Sequence, residues 1–286
     1  MLRVFPILFL VTAALGCGAE RGAMRDVAVL HHLPLHAFSG QEVDAYLRWL
    51  SEQPLEPVER VVLLARKNIG QPYRLFLLGE HPFELYDPDP MYCLSASDCV
   101  TFVEQTYAMA LSHDWPSFFR TLQRIRYKNG EIGMLTRNHF TEADWNINNA
   151  WLFEDVTEQL AGGAVAPLHV LVDRAAFFAK HHIGQDIAVQ AFEGNYLPRE
   201  RLHIALGEMR DGDVVQIVGG DTDAQYVTHI GLVMHDEHGG ITILHSTRPV
   251  VREEPLLEYI SGHAGIVGLK FLRMRRCAAE LPHEED

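Results

Sequence analysis

The chain has 286 residues, 48% of them hydrophobic, and a formal net charge of −14 at neutral pH. It can bury one large core or two modest ones, and beyond its first residues no apolar run approaches the roughly 20 residues that span a bilayer. The negative charge works against nucleic-acid binding and anionic membrane surfaces, and 4 cysteines in this length do not make a disulfide framework.

Taken in chain order, the first feature is Arg3 followed by an apolar run from Val4 to Leu15 that meets Gly16-Cys17. The run is too short for a stable transmembrane helix and has the shape of a secretory signal over residues 1–16. Ala14-Leu15-Gly16-Cys17 resembles the end of a bacterial lipoprotein signal, which implies lipidation of Cys17; plain cleavage nearby or an uncleaved anchor are the alternatives. Gly18 rather than aspartate after Cys17 resembles the sorting signal for the outer membrane, so a periplasmic, lipid-anchored protein is expected if the cell is Gram-negative.

Residues 17–38 lack a clear period and are expected to form a tether. Val43, Leu47 and Leu50 suit a helix after Ser39-Gly40, and Val58, Val61, Val62, Leu64 and Ala65 another after Pro57. A third helix opens at Cys99, with Val100, Val103, Tyr107 and Leu111 forming one apolar face. Trp115 to Tyr127 and Glu142 to Leu152 read as further helices, with a turn at Asn129-Gly130. From Asp211-Gly212 onward the pattern changes to β-rich runs at Val214 to Val218, His229 to Met234, Ile241 to His245 and Ile266 to Met274. Helices followed by consecutive strands predict an α+β fold with a mainly antiparallel sheet. No repeat or low-complexity linker divides it, so one domain is expected over residues 39–280, with an inserted helical region at about 113–205.

Three residues carry the chemical expectation. Ser97 and Asp98 are helix-capping types, which puts Cys99 in a first turn where unpaired backbone N–H groups lower a thiol pKa. His229 and His245 sit in strand-like surroundings. The trio suits a thiol nucleophile, a base that takes its proton, and a residue that orients the base. The plain alternatives are a buried structural cysteine and half-exposed strand histidines.

Several segments resemble the NlpC-type cell-wall cysteine hydrolases. They are Gly70-Gln71-Pro72-Tyr73, Asp98-Cys99, Asp211-Gly212-Asp213-Val214-Val215, Thr228-His229-Ile230-Gly231 and Ile243-Leu244-His245-Ser246. Asp98 to Glu104, Arg124-Ile125-Arg126-Tyr127, Arg137-Asn138-His139-Phe140 and Asp144-Trp145 narrow the likeness to the N-acetylmuramoyl-L-alanine amidase-like branch. The resemblance implies a papain-like fold with Cys99, His229 and His245 as the catalytic residues and no metal or other cofactor. Tyr73 would donate to the oxyanion, its alternative being a core tyrosine. Asp98 would bind a substrate amine, although capping is the cheaper role. Arg126, Arg137, Asn138 and His139 would hold sugar hydroxyls or peptide carboxylates unless simply solvated.

The implied reaction cuts the amide between the lactyl group of N-acetylmuramic acid and L-alanine in peptidoglycan fragments, with anhydromuropeptides among the substrates. Two alternatives share these features: an endopeptidase cutting between D-glutamate and the diamino acid, and a lipoprotein that only binds cell wall. A zinc amidase is disfavoured, because His31-His32 and His181-His182 are adjacent pairs and no His-Glu-x-x-His helix is present. Cys93 and Cys277 are left as either a bridge or two separate thiols.

Overall fold

The structure is a computed structural model and describes residues 24–220 and 225–276. The expected signal, the lipidated Cys17 and the Cys277 half of a bridge lie outside the described residues.

Helices α1 (Val27–His31), α2 (Gly40–Ser51), α3 (Pro57–Lys67), α4 (Cys99–Ala110) and α5 (Trp115–Arg126) build the N-terminal half. Capping boxes start α2 at Ser39, α4 at Asp98 and α5 at Asp114. The sequence gives α4 one apolar face, yet every residue from Thr101 to Ala110 is buried, because α3, α5 and the sheet all pack on it. A helix buried all round is a central post of the fold.

The expected tether needs correction from residue 24 onward. Leu30, Leu35 and Phe38 are buried in the main core, and Lys67 Nζ donates to the carbonyls of Leu30, His31 and Leu33 at 3.0, 3.0 and 2.7 Å. Irregular spacing hides these residues from any period, although all three reach the same core.

Eight strands form one sheet in the order β2-β3-β8-β4-β5-β6-β7, with β1 also pairing β8, and every pairing is antiparallel. They are β1 (Phe153–Asp155), β2 (Ala166–Val172), β3 (Gln190–Pro198), β4 (Val214–Gly220), β5 (Gln225–His235), β6 (Ile241–Ser246), β7 (Val251–Pro255) and β8 (Ile266–Met274). Both faces of the central strands are covered. Val214, Ile230, Leu232, Met234 and Leu244 face the helices, while Val215, Ile217, Val233, Ile243 and Phe271 pack with Leu202, Leu256 and Ile260 on the other side. Two-sided burial is why these strands read as continuous apolar runs.

The inserted region is less helical than expected, since it contributes β1, β2 and β3 to the sheet. Glu142 to Leu152 is not one helix either. Thr141–Trp145 is a wide π-type turn closed by Trp145 N–H on Phe140 O at 3.0 Å, followed by a single α-turn at Asn146–Asn148. No helix among the described residues is long and apolar enough to cross a membrane.

Phe38 separates a docked N-terminal segment from a tether. Phe38→Ala is expected to lower unfolding free energy by about 3–5 kcal/mol in urea titration, whereas a tether residue would change it by less than about 0.5 kcal/mol.

Candidate active site

The site forms where the first turn of α4 meets the middle of β5 and the end of β6. Asp98 Oδ1 accepts the Thr101 N–H at 2.8 Å, and Thr101 Oγ1 accepts the Asp98 N–H at 2.9 Å. Asp98 thus serves as the cap, the cheaper of its two expected roles. One residue earlier, the buried Ser97 hydroxyl donates to Gln71 Oε1 at 2.6 Å and lies 2.9 Å from Ser246 Oγ. Ser246 in turn donates to Ser97 O at 2.9 Å. This buried knot ties the residue next to His245 to the segment that leads into Cys99.

The Gly70-Gln71-Pro72-Tyr73 strip completes the frame. Gly70 takes φ 89°, a left-handed value that favours glycine, as the chain leaves α3. Its N–H donates to Val251 O at 2.9 Å, Gln71 O accepts from Val251 N–H at 2.8 Å, and Tyr73 N–H donates to Pro249 O at 2.9 Å. On its other side Tyr73 bridges Ser97, so the strip holds Tyr73 beside the Cys99 turn.

His229 on β5 and His245 on β6 come together. Their rings meet nearly edge to face, with His229 Nε2 2.7 Å from His245 Nδ1. Glycine at position 231 makes room for this: a Cβ there would sit 2.9 Å from His245 Cβ and 2.9 Å from Ile243 Cγ1. His245 is fully buried, and its Nε2 lies 2.7 Å from Glu254 Oε1, which also accepts from Arg252 Nε at 2.9 Å. Tyr259, on the helix Leu256–Gly262, stands perpendicular to the His245 ring with 5.0 Å between centroids.

The electrostatics differ from the sequence expectation. Backbone N–H groups of Ile230, Val100 and Cys99 all favour the thiolate, but burial and the Asp98 charge outweigh them and push the Cys99 thiol up to about 12. Burial, reinforced by His245, His263 and Arg252, pushes the His229 imidazole down to about 3. The free site therefore holds a neutral thiol and a neutral imidazole. Burial above all, with the Asp98 charge nearby, raises the Tyr73 phenol above its ordinary range, so it stays a donor at neutral pH.

The residues expected to hold substrate have internal partners instead. Buried Arg126 donates to Met91 O at 2.8 Å and faces Glu104. Arg137 pairs with Glu80 and Asp87 at 3.0 and 2.8 Å. Asn138 donates to Ile125 O at 2.8 Å, and His139 Nε2 lies 2.7 Å from Met134 O under Phe177 and Phe178. These contacts brace the loop 77–91 and the turn 133–140. Sequence reasoning saw Ser97 only as a capping type and gave no role to Ser246, Gln71, Glu254 or Tyr259, although Gln71 and Ser246 stood inside recognised motifs. Among the described residues no group of three His, Cys, Asp or Glu side chains could hold a metal ion.

A neutral pair has a kinetic signature. Iodoacetamide alkylation of Cys99 is expected to accelerate about tenfold per pH unit from about pH 6 to about pH 9, as the thiolate fraction grows. A preformed thiolate–imidazolium pair would give a flat rate across that range.

The fold has solved counterparts. A Legionella pneumophila protein of the DUF1460 family superposes with a TM-score of 0.74 at 19% identity, covering 82% of this chain and 95% of that one. An N-acetylmuramoyl-L-alanine amidase from Bacteroides uniformis superposes with a TM-score of 0.60 at 21% identity, covering 77% of this chain and 99% of that one. No curated protein matches. A family model does match residues 64–266, a span that contains Tyr73, Cys99, His229, His245 and Glu254, and on that match the chain belongs to the N-acetylmuramoyl-L-alanine amidase-like (AmiA-like) family of hydrolases.

Proposed function

We propose that this hydrolase cleaves the amide between the lactyl group of N-acetylmuramic acid and L-alanine in peptidoglycan fragments, working as an NlpC-type, papain-like cysteine enzyme. The observation that carries the reading is the meeting of a helix-starting cysteine with the hydrogen-bonded His229–His245 pair, where Ile230 N–H points at the Cys99 sulfur. The family match supports the amidase chemistry and the cell-wall substrate class.

In the proposed first half-reaction the Cys99 proton passes to His229 as Sγ adds to the lactyl carbonyl. Transfer during attack suits a pair that is neutral at rest. The carbonyl oxygen becomes an oxyanion facing the Cys99 N–H and the Tyr73 hydroxyl. Collapse breaks the C–N bond, and His229 gives its proton to the departing alanine nitrogen. Water then adds to the muramyl-lactyl thioester, losing a proton to His229, and cleavage of the C–S bond returns the thiol and frees the lactyl carboxylate. Tyr259, packed on both histidine rings, keeps bulk water off the pair. Lipidation at Cys17 would hold the enzyme at the outer membrane, facing periplasmic fragments.

Mass spectrometry of defined muropeptides tests the bond. The expected product is an intact stem peptide with a free L-alanine amine, lost in Cys99→Ala and slowed about 10- to 100-fold in kcat by Tyr73→Phe with little change in KM. Cleavage after D-glutamate would replace the amidase with the endopeptidase, and absence of any Cys99-dependent product from either sugar form would leave a binding protein.

A further inference from the structure

The hydrogen-bond chain behind the cysteine does not end at His245. It runs from His229 Nε2 to His245 Nδ1 at 2.7 Å, from His245 Nε2 to Glu254 Oε1 at 2.7 Å, and from that oxygen to Arg252 Nε at 2.9 Å. Arg252 is itself fixed by Nη1 donating to Arg248 O at 2.8 Å. Two adjacent strands supply the parts: β6 carries His245 directly opposite Arg252 on β7, two residues before Glu254.

We infer that Glu254 is a positioning residue that sets the tautomers of both histidines and so turns the free nitrogen of His229 toward Cys99. This rests on the reading of Cys99 and His229 as nucleophile and base. The logic follows from donor and acceptor inventory. An ionised carboxylate only accepts, so His245 Nε2 carries the proton that bonds Glu254. A neutral imidazole has one N–H, which leaves His245 Nδ1 bare and accepting. His229 Nε2 must then be the donor in the ring-to-ring bond, and His229 Nδ1 is bare, ready to receive the thiol proton. Reversing any one assignment leaves two acceptors or two donors face to face.

The charge states required are those favoured by the surroundings. Burial raises the Glu254 carboxyl, but its bonds to His245 and Arg252 outweigh that and hold it below the ordinary glutamate range. Burial lowers His245 despite the carboxylate, keeping it neutral at neutral pH. Glu254 thus does through one intervening ring what the aspartate of a serine triad does directly. When His229 takes the thiol proton, the same chain lets positive charge spread toward the carboxylate.

Nitrogen-15 NMR of histidine-labelled protein reads the tautomers without substrate. Wild type is expected to show both histidines protonated at Nε2 and bare at Nδ1, while Glu254→Gln shows mixed or reversed tautomers. The same variant is expected to lose about 10- to 100-fold in kcat on a muropeptide, with KM within about twofold of wild type. Wild-type spectra with protonated Nδ1 would overturn the inference whatever the variant does. So would Glu254→Gln with wild-type spectra and wild-type kcat. Cys99→Ala, run in parallel, separates the two levels: activity surviving in it refutes the nucleophile, whereas activity lost there but intact in Glu254→Gln refutes only the role of Glu254.

Discussion

The docking of one helix terminus against two neighbouring strands, β5 and β6, is the constraint from which the site follows. α4 is buried on all sides, so its first residue has little freedom to move relative to the sheet. The Ser97–Ser246 knot then fixes its start, linking the backbone two residues before Cys99 to the residue after His245. Gln71 enters the same knot and brings the Tyr73 strip with it. Cys99, Tyr73 and His245 are thereby spaced by three buried polar side chains, Ser97, Gln71 and Ser246. Buried hydrogen bonds of this kind lock geometry, since breaking one strands its partner away from water at a cost of about 1–3 kcal/mol.

That burial has a chemical consequence. A helix N-terminus and three N–H groups favour a thiolate, yet removal of Cys99 from water costs more, and His229 meets the opposite pressure. Both groups rest neutral. Two features stand in place without substrate: a phenol that remains protonated and an amide N–H at the sulfur.

The parts of this arrangement visible in the sequence are those with a local pattern. Cys99 follows two capping residues, and His229 and His245 lie in apolar, β-branched runs, so the element that carries each could be read from local pattern. Gly231 could be seen as part of a motif, but its reason, that an added Cβ would come within 2.9 Å of His245 Cβ, exists only in register. Glu254 sits in Val251–Pro255, a charged and half-buried stretch that reads as a loop until it pairs with β6. β2 and β3 carry Pro167, Gly194 and Pro198, which mask their strand character. Arg126 and Arg137 look like solvent-facing cations because their partners, Glu104, Glu80 and Asp87, lie well away from them in the chain. Charge burial of that sort is a tertiary property, invisible to periodicity.

The central claim, a covalent reaction at Cys99, is tested most directly by trapping the intermediate. Protein mixed with a muropeptide is quenched in acid within the first turnovers and digested, and the Cys99 peptide is weighed. The predicted result is a mass increase equal to the muramyl-lactyl half of the substrate, confined to Cys99. Product formation with Cys99 unmodified, or an adduct bearing the peptide half, would contradict thioester chemistry at the lactyl carbonyl.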